Sequence, residues 1–153
     1  MPTDLPDFDL SRFLPYRLTV AAERLSAALA RRYRSEFGIS VAEWRVLVHL
    51  ADAGAVSIRD LEARVHLEKS KASRAASRLV EAGHVVKTAN PDDRRLVRLS
   101  LSDSGRTLMT DLLPLARAYQ ERLEHLVAPH LDGLEAALDT FMAEEPGGGG
   151  PGS

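Results

Sequence analysis

The sequence has 153 residues, which is enough for one domain with a buried core. A hydrophobic fraction of 44%, a charged fraction of 27% and a net charge of −2 are typical of a soluble globular protein. Because the chain contains no cysteine, disulfides, thiolate metal ligands and thiol-based redox switches are excluded.

The chain begins with an acidic segment, residues 1–10, that lacks the apolar core of an export signal. No apolar run approaches the ~20 residues of a membrane span, so we expect a cytoplasmic protein with no membrane partner. A first helix is predicted over Leu14–Phe37, because apolar residues recur there at helical spacing and Gly38 ends the pattern. Pro15 fits the first turn of this helix, whereas a start near Ser11 would make Pro15 a kink.

Two helices with matching start signals follow. Ser40 opens the second helix, with Glu43 as its capping-box partner, and Gly54 closes it. The segment Ser57–Val65 repeats that signature, with an acidic residue three positions after the serine, and predicts a short third helix. The buried face of the second helix is predicted to consist of Val41, Trp44, Leu47 and Val48.

A fourth helix and a hairpin come next. The helix is predicted from about Glu68 to Gly83, a typical residue after a helix C-terminus. Residues 85–88 and 96–101 predict two strands, since the second of them alternates cleanly in hydrophobicity. Residues 90–95 supply the turn between them.

The C-terminal part is predicted to be helical. Ser102 caps a long helix that Pro114 interrupts, and Pro129 separates it from a last amphipathic helix. Residues 144–153 are rich in glycine and proline and predict a flexible tail. The apolar stripe of the last helix consists of Leu131, Leu134, Leu138 and Phe141 or Met142.

The net charge hides an uneven distribution. Between Lys69 and Arg98 the sequence has eight cations against three anions, so the rest of the chain is strongly acidic. A charge run is often only a solvated face, but these cations concentrate on one helix and one hairpin tip. That pattern favours a surface that faces the phosphates of a nucleic acid.

The fourth helix divides into a small apolar face and a polar face. At about 100° per residue, Ala72, Ala76 and Leu79 cluster on one side, where they can pack closely on neighbouring helices. The other side is rich in Ser, Arg and Lys. Short hydroxyls let a helix approach base edges, and arginine can bind guanine O6 and N7. A solvent-facing surface stocked by chance is the alternative. The candidate DNA-binding residues of this helix are Ser70, Lys71, Ser73, Arg74, Ser77 and Arg78.

The third and fourth helices are joined by the short link 66–67, which is the spacing of a helix-turn-helix unit. The hairpin would then be a wing, with Arg94 and Arg95 at its tip as further candidate DNA-binding residues. Narrow minor grooves have a strongly negative potential and attract inserted arginines. An ordinary charged turn is the alternative, and without the helix pair it would be preferred.

Four stretches together resemble the MarR family of bacterial winged helix-turn-helix regulators over about residues 13–126. None is specific alone, but their order and spacing agree with the family. The resemblance implies a mainly α fold with a small β-hairpin wing, in which Arg95 corresponds to the family's wing-tip arginine. The stretches are Glu43-Trp44-Arg45-Val46-Leu47, the segment Leu67 to Arg74, Leu79-Val80-Glu81-Ala82-Gly83, and Asp92-Asp93-Arg94-Arg95 followed by Val97 to Ser102.

The resemblance also implies a homodimeric repressor that binds double-stranded DNA at a pseudo-palindromic operator. Residues 1–143 would form a single domain, with dimerisation helices in 9–37 and 102–143 and the DNA-binding lobe in 40–101. Recognition helices would enter successive major grooves, and the wings would reach the minor groove.

Members of this family often bind small aromatic or phenolic acids, so the resemblance implies an effector of that kind, an aromatic acid or its thioester. The chain lacks the reactive cysteine of the family's peroxide and hypochlorite sensors, so its signal would be a bound ligand. Arginine would pair with a carboxylate, and tryptophan or tyrosine would cover a ring. Core packing is the alternative for Trp44, as is a structural role for His49. The candidate ligand-binding residues are Tyr16, Arg17, Trp44, Arg45 and His49.

An enzyme and a protein-interaction module are the competing classes of function. No two of the five histidines are four residues apart, no glycine-rich phosphate loop precedes Gly147, and no serine lies in a nucleophile-elbow pattern. Catalysis, as by a small hydrolase, is therefore not expected, and neither is a metal or cofactor. The basic helix face and the arginine pair argue against a winged helix used only for protein contacts.

Overall fold

The structure is a computed structural model that describes residues 4–65, 67–93 and 96–144. It is mainly α-helical with a small antiparallel sheet, as the sequence predicts. Short 3-10 turns, Leu10–Arg12 and Ala128–His130, precede the first and last helices. In chain order the elements are α1 (Leu14–Phe37), α2 (Val41–Ala53), β1 (Val56–Ser57), α3 (Ile58–Arg64), α4 (Lys69–Glu81), β2 (Val85–Ala89), β3 (Val97–Leu101), α5 (Asp103–Leu126) and α6 (Leu131–Ala143).

The helix ends follow local chemistry, and the predicted ends are confirmed to within a residue or two. The helix α1 begins at Leu14 with Pro15 in its first turn, and Gly38 ends it in the left-handed conformation, with φ of 67°. The hydroxyl oxygens of Ser40 and Ser57 accept hydrogen bonds from backbone N–H groups three residues on, each at 3.1 Å. Both serines therefore satisfy donors that a helix N-terminus leaves unpaired.

The buried face of α2 differs from the prediction. Val46, Leu47 and Leu50 are buried, at 0%, 0% and 1% exposure. The helix contacts α1, α3, α4 and β3, so its buried arc is set by several neighbours rather than by one stripe. The predicted residues that are only half-buried are Val41, Trp44 and Val48.

The sheet has three strands rather than the predicted two. β3 lies in the middle and pairs antiparallel with β2 and with β1, where Val56 is opposite Leu99. β1 is only two residues long, and Ser57 belongs both to it and to the cap of α3. A strand this short has no alternating pattern of its own, because its pairing with a distant segment defines it.

The prediction that Pro114 interrupts the long helix is wrong, because α5 continues from Asp103 to Leu126 with Pro114 inside it. A proline removes one backbone hydrogen bond, but its neighbours, Leu113 before it and Leu115 and Ala116 after it, are good helix formers. The chain forms two compact units, which meet in sequence between Leu113 and Pro114.

Within the first unit, the turn after α4 is fixed to the start of α5. The Ser102 backbone N–H donates to the His84 carbonyl at 3.0 Å, and the Ser102 hydroxyl donates to the Gly83 carbonyl at 2.5 Å. That hydroxyl also accepts from the Gly105 N–H at 3.0 Å and caps α5, as predicted. A side chain at Gly105 would overlap the His84 carbonyl oxygen, so the two segments lie in close contact.

The second unit contains the rest of α5 and α6. The apolar stripe predicted for α6 is largely exposed: Leu134 and Leu138 are each 42% exposed and Phe141 is 48% exposed. Large apolar side chains of α1, among them Leu14, are also exposed in the first unit. The predicted tail lies outside the described residues from position 145 onward.

Candidate nucleic-acid interface

The helix α4 is oriented as its sequence predicts. Ala72, Ala75, Ala76 and Leu79 are all buried, at 0–7% exposure. Small side chains at these positions let α4 pack closely on α2 and α3. All six polar candidates of this helix are exposed: Ser70, Lys71, Ser73, Arg74, Ser77 and Arg78.

The exposed face of α4 has two chemically different edges. Lys71, Arg74 and Arg78 fall within about 60° of one another on the helix and form what we call the cationic edge. Ser73 and Ser77 lie on the other flank. They line a groove of about 240 Å³ together with Lys87 of β2 and Leu99 of β3. The serine edge is therefore beside the sheet.

Arg74 is held to its own helix. Its Nε donates to the Ser70 carbonyl oxygen at 3.3 Å, and the side chain is exposed. A guanidinium has five N–H donors, and this is its one hydrogen bond within the part of the chain that the structure describes. Its other donors are therefore available for a ligand at the protein surface.

Arg78 makes a different contact. Its Nε lies 3.3 Å from Oε1 of Glu43 in α2, and its side chain is 51% exposed. Glu43 is the capping-box residue of α2, and the Ser40 hydroxyl donates to the same Oε1 at 2.9 Å. The cationic edge of α4 thus contacts the N-terminal turn of α2. Sequence reasoning missed this pair, because 35 residues separate its members.

A cleft of about 810 Å³ lies between α3, the start of α4 and the sheet. Three cations line it, Arg59, Lys69 and Arg98, together with the acidic residues Asp60 and Glu62. Lys69 and Arg98 belong to the basic stretch of the sequence. The sequence pattern does not reveal Arg59, because two acidic neighbours on α3 offset its charge.

The wing turn is stabilised from within. The Asn90 side-chain oxygen accepts from the Asp92 N–H at 2.9 Å, and the Asn90 N–H donates to the Leu96 carbonyl at 3.0 Å. This is the local hydrogen bonding for which asparagine is favoured in turns. Arg94 and Arg95 lie outside the described residues, so their place at the wing tip stays a prediction.

The candidate ligand-binding residues lie in two separate places. Tyr16 and Arg17 line an open depression of about 530 Å³ on the N-terminal half of α1. Trp44 and Arg45 line a cavity of about 70 Å³ between α2 and the second half of α1. His49 is half-buried, about one helical turn beyond Arg45. The structure therefore does not bring all five into one pocket within the chain.

Tyr33 is a residue of the smaller cavity that sequence reasoning missed. It is 1% exposed, and its ring centroid lies 4.6 Å from that of Trp44. Burial raises the pKa of its hydroxyl to about 12, and that hydroxyl has no hydrogen-bond partner among the described residues. The sequence does indicate that Tyr33 is buried, because it lies four residues after Leu29 on the apolar face of α1.

Two features are absent from the residues that the structure describes. None of their helices is long and apolar enough to cross a membrane. They also contain no group of three or more His, Cys, Asp or Glu side chains suited to a metal ion.

Comparison with known sequences gives several regulators. A sequence profile of the MarR family matches residues 37–96. An HTH-type transcriptional regulator of Mycobacterium bovis is 32% identical over 130 residues, 82% of this chain and 88% of that protein. The Rhizobium meliloti exopolysaccharide II synthesis transcriptional activator ExpG is 28% identical over 130 residues, 81% of this chain and 66% of that protein. The Bacillus subtilis transcriptional repressor MdtR is 28% identical over 85 residues, 56% of this chain and 55% of that protein.

Solved structures share the fold. A MarR family transcriptional regulator of Silicibacter pomeroyi DSS-3 is 33% identical, with a TM-score of 0.74 over 88% of this chain and 99% of that one. BpsR of Bordetella bronchiseptica, whose DNA binding is regulated by 6-hydroxynicotinic acid, is 21% identical, with a TM-score of 0.78 over 92% and 100%. NadR in complex with 4-hydroxyphenylacetate is 23% identical, with a TM-score of 0.72 over 95% and 100%. These likenesses confirm the winged helix-turn-helix fold.

Proposed function

Given that this chain belongs to the MarR family of transcriptional regulators, we propose that it is a homodimeric repressor that releases a pseudo-palindromic operator when a small aromatic or phenolic acid binds. As a transcriptional regulator it would act in the cytoplasm. The half-site centres of its operator are about one helical turn, 10–10.5 bp, apart.

The observation that carries the proposal is the two-sided character of α4. Its alanine face is buried while every Ser, Arg and Lys of its other face is exposed. In the major groove, Arg74 binds a guanine through its fork of donors, and the short serine side chains allow close approach. The cations of the cleft beside the sheet, Lys69 and Arg98, neutralise backbone phosphates, and Arg94 and Arg95 enter the minor groove.

Two kinds of observation support an aromatic effector. BpsR responds to, and NadR binds, a hydroxylated aromatic acid. In this chain, Trp44, Tyr33 and Arg45 surround the small cavity and supply aromatic surface and a cation for a carboxylate. At about 70 Å³ the cavity is smaller than such a ligand, so its entry separates α1 from α2. Tyr16 and Arg17 line the separate depression on α1, and His49 lies about one helical turn beyond Arg45, so these three stay candidates outside this cavity.

The DNA-binding role is tested by Arg74→Ala on two duplexes. One is selected from a random 30-bp pool by the parent protein, and the other is a scrambled duplex of the same length. The variant should lose roughly 1–3 kcal/mol of binding free energy on the selected duplex and little on the scrambled one, where backbone charge dominates. Arg106→Ala, which removes an exposed arginine of α5, is the matched control and should bind both as the parent does.

The same assay tests the wing with a second variant and has two results that would refute the proposal. Arg95→Ala should lower the slope of log affinity against log salt concentration by about 0.9 for each lost phosphate contact. An unchanged slope would show that the wing tip does not contact DNA. An unchanged affinity of Arg74→Ala for the selected duplex would refute the recognition-helix assignment. If the parent selects no duplex at all, the proposed function is wrong.

The effector role is tested with 4-hydroxyphenylacetate and 6-hydroxynicotinate as probes. Each is added to the complex of parent protein and selected duplex, with cyclohexanecarboxylate as a non-aromatic control acid. Release by an aromatic acid, weakened at least about tenfold in Arg45→Ala by the loss of a charged hydrogen bond, is the expected result. Equal release of the parent and the variant would place the acid elsewhere.

A further inference from the structure

The ion pair between α2 and α4 joins the recognition helix to the capping box of a neighbouring helix. We infer that Glu43 is a positioning residue for DNA recognition, which fixes Arg78 on the cationic edge of α4. The inference rests on the proposed function of α4 as the recognition helix.

Glu43 is itself well fixed. Its side chain is only 15% exposed, and one carboxylate oxygen accepts from the Ser40 hydroxyl at 2.9 Å. Its own backbone N–H donates to the Ser40 hydroxyl oxygen at 3.1 Å. The carboxylate therefore offers Arg78 an acceptor whose place is set by the first turn of α2.

The contact engages Arg78 in a way that leaves its charge usable. Only Nε pairs with Glu43, at 3.3 Å, so the two terminal nitrogens of the guanidinium extend beyond the pair. Arg78 lies next to Arg74 and Lys71 on the exposed face of α4. An arginine held at Nε presents a planar fork in one orientation, which suits a phosphate or a base edge.

Stability gives little reason for the pair. Arg78 is half-exposed, and ion pairs that water can reach stabilise a fold only slightly. The capping box needs Ser40 and Glu43 but not Arg78. A carboxylate beside a DNA-facing helix also repels phosphates and so weakens DNA binding. The positioning of Arg78 would offset this loss.

Glu43 could act only through the charge of its carboxylate or by positioning Arg78, and the two roles predict different results for Glu43→Gln. Glutamine keeps an oxygen acceptor for the Ser40 hydroxyl, but its neutral hydrogen bond to Arg78 is weaker than that of the carboxylate. If the carboxylate acts only by its charge, the affinity should rise equally for every duplex. If it positions Arg78, the ratio of affinities for the selected and the scrambled duplex should fall, because a loosely held arginine discriminates less.

The experiment measures that ratio for a set of variants at matched salt. We expect Glu43→Gln to lower it about fivefold, in the range of coupling between contacting residues. Arg78→Lys, which keeps the charge but lacks Nε and the fork, should lower it similarly. Asp52→Asn, an equal charge change at an exposed position in the last turn of α2, should leave it unchanged.

A double-mutant cycle shows whether Glu43 acts through Arg78. In the Arg78→Ala background, Glu43→Gln should have no further effect on the ratio. Thermal unfolding of each variant shows whether it folds as the parent does. If Glu43→Gln fails to fold, Arg78→Lys tests the same contact from the other side.

Two results would overturn the inference: an unchanged ratio in Glu43→Gln, which includes a parallel rise of both affinities, or an equal loss in the Arg78→Ala background. Failure of the parent protein to prefer its selected duplex would instead refute the proposed function and, with it, the inference that rests on it.

Discussion

At the scale of single residues, the buried hydroxyl of Tyr33 links the packing of α1 to a measurable pH dependence. Burial raises the pKa from 10.0 to about 12, because the tyrosinate would be poorly solvated there. The folded chain thus keeps a proton that the unfolded chain loses. This contribution to stability is fully present below pH 10 and is lost as the pH rises towards 12.

Tyr33→Phe should therefore flatten the decline in stability between pH 10 and 12 by about 2–3 kcal/mol relative to the parent. At pH 7 the variant should be as stable as the parent or up to about 1 kcal/mol more stable, since it removes a buried hydroxyl that has no partner among the described residues. Denaturant unfolding at each pH measures both effects. Tyrosinate absorbance gives a second check, because the ionisation of Tyr33 near pH 12 should be missing from the variant. Parallel pH profiles would contradict the assignment.

At the scale of elements, the junction between α4 and α5 depends on a glycine, Gly105, which has no side chain to fill the space there. Gly105→Ala would push a methyl group against the His84 carbonyl oxygen, so the first turn of α5 or the turn after α4 must move. We expect a loss of about 1–3 kcal/mol in the free energy of unfolding, as for other overpacked contacts. Thermal and denaturant unfolding measure it.

Gly133→Ala in α6 is the matched control, because no heavy atom within 4 Å would meet its added methyl group. Alanine is the better helix former, so this variant should gain up to about 1 kcal/mol. Equal effects of the two substitutions would show that the contact with His84 is not tight.

The elements also show how far sequence reasoning reaches. The helix ends could be predicted because a serine hydroxyl, such as that of Ser40 or Ser57, pairs with a backbone N–H only three residues away. The strand β1 could not, since its partner is Leu99 on a distant segment. The prediction that Pro114 interrupts the helix was wrong because the free-energy cost of a proline in a helix is smaller here than the helical preference of the neighbouring residues.

The candidate site divides along the same line. The polar face of α4 follows from helical periodicity alone, and exposure confirms it for Ser70 and Arg74. The contact of Arg78 with Glu43 depends on how α2 packs on α4, and no pattern within either helix reports it. The cavity at Tyr33 likewise requires two helices to be placed side by side.

At the scale of the whole molecule, the exposed apolar side chains indicate a protein–protein interface. Exposed leucines are unremarkable singly, but Leu134, Leu138 and Phe141 are exposed along one stripe of α6. With one recognition helix per chain, the proposed binding to two half-sites needs two chains. The exposed stripe of α6 is therefore the expected dimer interface.

Leu138→Glu should convert the dimer into a monomer, because a carboxylate at the centre of the stripe would be buried without a partner. Ala136→Glu places the same side chain on α6 about 160° away from Leu138, so this control should remain a dimer. Sedimentation velocity distinguishes the two states. On a duplex with both half-sites, Leu138→Glu should lose most of the parent's affinity, while its weak binding to a single half-site should be unchanged, since the lobe of 40–101 is intact. A Leu138→Glu protein that stays dimeric would place the interface elsewhere, and a monomer that binds the full duplex as tightly as the parent would show that one recognition helix suffices.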